Sequence, residues 1–156
     1  MDDESFLHLC RDACAALDLP DINVLGVNHQ ITVDGVDIGL FYDPFGVNDR
    51  LVCYIDIGAV PDFDREEILE RILAINLLSG TKTSGVYGLD RSKDKVIFVQ
   101  HFLYPDLMTG EILADIFRGY AEHAKNAQKT FLDVLNNAPL SDLLEQSLTS
   151  SSLNLA

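Results

Sequence analysis

The spacing of apolar residues along the chain predicts three amphipathic helices. Between residues 4 and 17, apolar side chains recur at helical intervals behind an acidic first turn and form one stripe. A second helix is predicted from Asp64, a favourable N-cap, to about Leu78. The third begins near Thr109 and keeps its apolar stripe as far as the segment before Pro139, which cannot continue a helix.

Alternation of apolar and polar residues predicts five strands. Asp34-Gly35 separates the first two and signals a hairpin, because glycine tolerates the positive φ of a tight turn. The predicted strands cover residues 29–33, 36–42, 51–57, 86–89 and 96–103. The order of elements is therefore α-β-β-β-α-β-β-α. Strands that follow one another without helical crossovers indicate an α+β fold, with three helices on a twisted, mostly antiparallel five-stranded sheet.

The length of 156 residues suits one domain, which we predict for residues 1–137. Apolar residues make up 47% of the chain and charged residues 23%, values close to the globular average that exclude global disorder. Residues 138–156 contain a short stripe of leucines followed by a run of Ser and Thr. We expect this segment to form a mobile C-terminal tail.

Acidic residues outnumber basic ones, since 25 Asp and Glu against 11 Lys and Arg give a formal charge of −14. Such a surface repels phosphate groups, so we expect no nucleic-acid partner and no attraction to an anionic membrane. The most apolar stretch, residues 72–78, is far too short for membrane insertion. An acidic start unlike a signal peptide and an odd number of cysteines indicate a cytoplasmic protein.

Few residues point to catalysis or metal binding. Cys10 and Cys14 have the i, i+4 spacing of metal ligands, but no second Cys or His pair accompanies them, which favours packing within the helix stripe. His101 lies in the fifth predicted strand without a nucleophile signature elsewhere in the chain. We therefore predict no catalytic residues, no metal and no cofactor. A small hydrolase that uses His101 or a cysteine is the less favoured alternative.

The second helix carries more apolar surface than one sheet can bury. One stripe consists of Ile68, Ile72 and Ile75, and the other consists of Leu69, Leu73 and Leu77. Together they cover about half of the circumference, wider than the roughly 100° face of a surface helix. One side packs on the sheet, and a second copy of the chain is the simplest partner for the other. The predicted homodimer interface is Leu69, Ile72, Ile75 and Leu78. The alternative is a helix buried deeply in a monomeric core.

The strands carry apolar residues on a second face as well. Phe41, Val52 and Tyr54 lie opposite the main apolar row, and Leu9 lies to one side of the stripe of the first helix. Surplus apolar surface on an acidic protein suits the binding of an extended peptide. Strand addition at a sheet edge and pockets for alternate side chains would be the physical means.

Five short stretches occur in a recognisable order along the chain. They are Leu17-Asp18-Leu19-Pro20, Val33-Asp34-Gly35-Val36, Asp56-Ile57-Gly58-Ala59-Val60-Pro61, Ile72-Leu73-Ala74-Ile75-Asn76-Leu77-Leu78 and Gly85-Val86-Tyr87-Gly88-Leu89-Asp90. With the chain length and the acidity, they make the chain resemble the CesT family of type III secretion chaperones, also called the Tir chaperone family (class I). The resemblance covers Ser5 to Leu135.

This resemblance implies a homodimeric α+β chaperone of the bacterial cytoplasm, without ATPase activity. Such a chaperone would bind the N-terminal region of one or a few secreted effectors in extended form and keep them soluble and secretion-competent. It implies a dimer interface on the second helix, in agreement with the two stripes. It also implies effector contacts around the first helix and the strands, where Leu9, Phe41, Val52 and Tyr54 are the candidates. A dimeric adaptor of the same fold without a secretion role is an alternative that the residues leave open.

Overall fold

An antiparallel five-stranded sheet, with helices packed against one of its faces, organises the fold. The computed structural model describes residues 1–44, 49–60, 65–79 and 85–133, except for the side chains of residues 78, 79 and 130–133. The elements are α1 (Asp3–Ala16), α2 (Val24–Asn28), β1 (Gln30–Val33), β2 (Val36–Asp43), β3 (Arg50–Ala59), α3 (Arg65–Ser79), β4 (Gly85–Asp90), β5 (Lys95–Leu103) and α4 (Gly110–Asp133).

Three long helices and five strands in this order confirm the predicted α+β fold. The short helix α2 is an addition that the apolar pattern did not predict, because five residues are too few to show a helical period. A single 3₁₀ turn, Pro105–Leu107, also joins β5 to α4. The predicted cap Asp64 and the predicted tail, residues 138–156, lie outside the described residues.

Side-chain caps fix the starts of two long helices. The Asp2 carboxylate accepts a hydrogen bond from the backbone N–H of Ser5 at 2.8 Å and caps α1. The Thr109 hydroxyl accepts one from the N–H of Ile112 at 3.3 Å, so α4 begins where the sequence predicts. These bonds satisfy N–H groups that have no partner inside the helix.

The strand order is β1-β2-β3-β5-β4, and every neighbouring pair is antiparallel. Asp34 and Gly35 both have positive φ, 50° and 83°, as a type I′ hairpin turn requires. Gly58 lies at a register shift between β3 and β5 with φ of 128°. This left-handed φ is strained for any residue with a side chain, so glycine is favoured at the shift.

The core lies between one face of the sheet and helices α1 and α4. Alternate residues of the strands point into it, as the period of two predicts. The sheet contributes Ile38, Leu40, Leu51, Cys53 and Ile55, α1 contributes Phe6, Cys10, Ala13 and Cys14, and α4 contributes Leu113, Phe117, Ala121 and Ala124. The opposite face of the sheet, which we call the outer face, is left for other contacts.

Candidate functional site

The outer face exposes an aromatic pair at its centre. Phe41 on β2 and Tyr54 on β3 point to this face because they alternate with the buried residues of their strands. They are 44% and 42% exposed, and their rings meet edge to face with centroids 5.5 Å apart. Val86 and Leu103 are also exposed, and the strand register places them on the same face. The outer face therefore presents several exposed apolar side chains to a partner.

Val52 also lies on the outer face, but its side chain is buried. It stands directly opposite Phe41 on one side and His101 on the other, and it is 6% exposed. Its side chain is therefore not itself open to a partner. Three of the four predicted effector-binding residues are thus brought together, two of them exposed and one buried.

A row of rings joins the outer face to helix α1. Starting from the exposed pair, His29 stacks on Phe41 at 5.4 Å and Phe6 of α1 stacks on His29 at 6.2 Å. Phe6 also stacks on Tyr42 at 6.1 Å. We call Tyr42, Phe6, His29, Phe41 and Tyr54 the aromatic row. It passes around the end of the short strand β1, where His29 adopts the left-handed conformation with φ of 55°.

A groove of about 390 Å³ opens beside the aromatic pair. His29, Phe41 and Tyr54 form one wall. Gly39 lies between them, and a Cβ there would approach both the carbonyl oxygen of His29 and the ring of Phe41 to 3.4 Å. The absence of a side chain at Gly39 thus keeps this part of the groove open. The volume falls in the range of small-ligand sites, about 300 to 1,000 Å³, and suits a few side chains of a bound peptide.

The other wall of the groove is charged. The Lys95 ammonium group donates to the Asp56 carboxylate, and this bond raises the pKa of Lys95. The Thr32 hydroxyl donates to Oδ1 of Asp37 at 2.7 Å. One side of the groove therefore offers aromatic surface and the other offers fixed charges, an arrangement that suits an extended peptide with alternating apolar and polar side chains.

Leu9, the fourth predicted contact, lies in a different place. It is 6% exposed and lines a cleft of about 570 Å³ between α1 and the segment that leads into α4. Acidic residues Asp2, Glu4 and Asp12 line this cleft from the α1 side. The predicted effector-binding residues therefore lie on two separate surfaces, the groove of the outer face and the helix cleft beside α1. The aromatic row connects the groove to α1 through Phe6.

Helix α3 buries one part of its apolar surface in the single chain and exposes another part. Ile68 and Ile72 are buried in the core of the single chain, with Ile72 at 4% exposure. Leu69 and Ile75 are partly buried against the same core. Leu73 and Leu77 are 69% and 83% exposed. The side chain of Leu78 lies outside the described residues, and the structure contains one chain, so the homodimer interface stays a prediction.

Groups that could carry out chemistry are separated or buried. Cys10, Cys14 and Cys53 are buried, and burial raises the pKa of each thiol, to about 12 for Cys10. His101 faces the outer side of the sheet, whereas Cys53 faces the core, so the sheet lies between them. Within the described ranges no cluster of His, Cys, Asp or Glu could hold a metal ion. In the same ranges no helix has the length and apolarity needed to cross a bilayer.

Sequence reasoning missed most of the groove. Asp37 and Gly39 share the strand face of Phe41, and their alternation with buried residues was a signal that could have found them. Lys95 carried no such signal, because its ion pair with Asp56 joins strands 39 residues apart. His29 was also missed, since its position follows from the end of the unpredicted helix α2.

Comparison with known proteins identifies similar solved folds and a matching protein family. Among solved structures, the ExsC-ExsE complex contains a chain that is 19% identical with a TM-score of 0.67, covering 83% of this chain and 96% of that one. A chain of the HopA1-SchA chaperone-effector complex is 15% identical with a TM-score of 0.50, covering 83% and 98%. These likenesses show a shared fold. Comparison with curated protein sequences finds no match. The model of the Tir chaperone protein (CesT) family matches residues 47–128, more than half of the sequence, and the chain therefore belongs to this family.

Proposed function

We propose that this protein is a type III secretion chaperone that binds the N-terminal region of a secreted effector in extended form and keeps it soluble and secretion-competent. The observation that carries the proposal is the exposed pair Phe41 and Tyr54 beside an open groove, in a chain of the CesT family. The solved relatives support it, because the HopA1-SchA structure is a chaperone-effector complex.

The physical basis of binding is the surplus apolar surface. Two aromatic side chains are left nearly half exposed. A client that covers them stabilises the complex by about 25 cal/mol for each Å² of apolar area removed from water. An extended client also has unpaired backbone groups, and the edge strand β1 offers it a place for strand addition. The two-residue turn and the bond from Leu40 N–H to the His29 carbonyl make His29, Ile31 and Val33 the residues hydrogen-bonded to β2, so Gln30 and Thr32 direct their backbone groups outward.

The net charge of −14 has a role in the same function. Like-charged chaperones repel one another, so the exposed apolar surface of each stays soluble while no client is bound. The same field favours a neutral or basic client segment. We also propose that the protein works in the cytoplasm as a homodimer, through the exposed stripe of α3, and that it binds its client without turning it over.

Capture from the native cell tests the function. The wild-type chain is expected to co-purify with one or a few exported proteins, bound through their N-terminal regions. The double variant Phe41→Ser and Tyr54→Ser is expected to lose most of this capture while it stays folded, because both side chains are exposed. The control is Ile22→Ser with Val27→Ser, which removes exposed apolar side chains elsewhere.

Three outcomes would contradict the proposal. Equal capture by the double variant and the control would show that the outer face is not the binding surface. A partner that is never exported would favour the adaptor alternative. A small-molecule product formed by the purified protein would favour an enzyme.

A further inference from the structure

The two edges of the sheet differ in what covers their backbone. In an antiparallel pair, successive residues direct their N–H and C=O groups alternately toward and away from the neighbouring strand. On the edge strand β4, this alternation directs the groups of Gly85, Tyr87 and Leu89 away from β5. Tyr87 is the central residue of the three, so an added strand would have to pair with it.

Asn76 of α3 occupies both backbone groups of Tyr87. Its Nδ2 donates to the carbonyl oxygen of Tyr87 at 2.8 Å, and its Oδ1 accepts from the N–H of Tyr87 at 2.8 Å. A side-chain amide has the donor and the acceptor of a peptide group, so Asn76 makes the two bonds that a residue of a neighbouring strand would make.

The sequence position of Asn76 agrees with this role. It interrupts the most apolar stretch of the chain, residues 72–78, and its side chain is half-buried. A buried polar group is costly unless it is hydrogen-bonded. The other side of Tyr87 is also held, because its ring lies 4.9 Å from that of Phe98 and its hydroxyl lies 2.7 Å from Nε2 of His123. Asn76 therefore hydrogen-bonds to an edge residue whose position is held by other contacts.

We propose that Asn76 is a specificity-determining residue that closes the β4 edge to strand addition by an extended polypeptide, whether a client or a second copy of this chain. An incoming strand needs the N–H and C=O groups of Tyr87 that the Asn76 amide occupies. The β4 edge is then not available to an extended segment, whereas Gln30 and Thr32 direct their backbone groups outward at the β1 edge. For a client the proposal rests on the function proposed above, whereas for a second copy it does not.

Hydrogen exchange of the Tyr87 amide tests the closure without any client. Asn76→Leu has a similar shape and lacks both bonds, so exchange at Tyr87 should become about tenfold faster, as expected for a lost hydrogen bond. Asn76→Asp keeps the acceptor, so the Tyr87 amide should stay protected. Glu70→Leu places a leucine at an exposed position of the same helix and is the matched control, with exchange as in the wild type.

A disulfide reporter tests whether the uncovered edge pairs. A Cβ at Gly88 meets no atom within 4 Å, and the native thiols are buried, so Gly88→Cys adds an exposed reactive thiol. Antiparallel pairing of two β4 edges centred on this residue brings the two thiols within disulfide distance. Oxidation should cross-link Gly88→Cys when it is combined with Asn76→Leu, and should not cross-link it alone, with Asn76→Asp or with Glu70→Leu.

Two results would overturn the proposal. Unchanged exchange at Tyr87 in Asn76→Leu would show that the amide does not protect the edge. Equal cross-linking with and without Asn76→Leu would show that Asn76 does not control pairing there. Because neither measurement involves a client, their failure is distinct from a failure of the proposed chaperone function, which the capture experiment reports.

Discussion

Truncation of Leu73 and Leu77 to alanine should dissociate the proposed homodimer without unfolding the chain. Fully burying a leucine stabilises by about 1.5 to 3 kcal/mol. The two side chains are 69% and 83% exposed, so their burial at an interface makes several kcal/mol available in each protomer. Alanine keeps part of this burial, so the loss over two protomers is about 4 kcal/mol, which corresponds to about a thousandfold rise in the dimer Kd.

Sedimentation equilibrium over a wide concentration range measures this Kd, and thermal melting of the same samples measures stability. The matched control is Val27→Ala with Leu107→Ala, which truncates two side chains of similar exposure, 72% and 78%, outside α3. A wild-type protein that sediments as a monomer would refute the reasoning. So would an equal rise in Kd for the control.

Two further predictions concern stability. Leu40→Ala removes a fully buried side chain of the core, so the free energy of unfolding should fall by about 2 to 5 kcal/mol in urea titrations; a change below 1 kcal/mol would contradict the assigned core. Burial lowers the pKa of His123 below its ordinary value of 6.5, so the neutral form favours the folded state. Its contribution is fully present above the unfolded pKa and is lost as the pH falls from about 6.5 toward the lowered pKa. The melting temperature should therefore fall across this window in the wild type and less in His123→Phe, and identical pH profiles would exclude the effect.

The fold could be predicted because local patterns decide most of it. Alternation along β2 and β3 separates Leu40 and Cys53, which face the core, from Phe41 and Tyr54, which face outward. The Asp34-Gly35 turn then sets the register of the hairpin. Since a strand has only two faces, finding the core on one face leaves the second face as the surface for contacts.

Helices are harder to interpret in this way, because a helix has no second face fixed by its period. On α3, the stripe of Ile68 and Ile72 and the stripe of Leu73 and Leu77 are equally apolar in the sequence, and only the packing shows that the first is buried. The exposed fraction of the Leu9 side chain could not be predicted from the sequence either. One wall of its cleft comes from Pro105 and Met108, about a hundred residues along the chain, and no local pattern in α1 contains that information.

The aromatic row has a consequence for how the range of clients can change. His29 is in contact with Phe6 of α1 on one side and with Phe41 of the outer face on the other. A substitution of Phe41 that reshapes the groove for a new client therefore also changes the packing of His29 on Phe6. Changes at Phe41 should accordingly be paired with changes at Phe6 in relatives that bind different effectors. His29 is the position at which such pairs should meet.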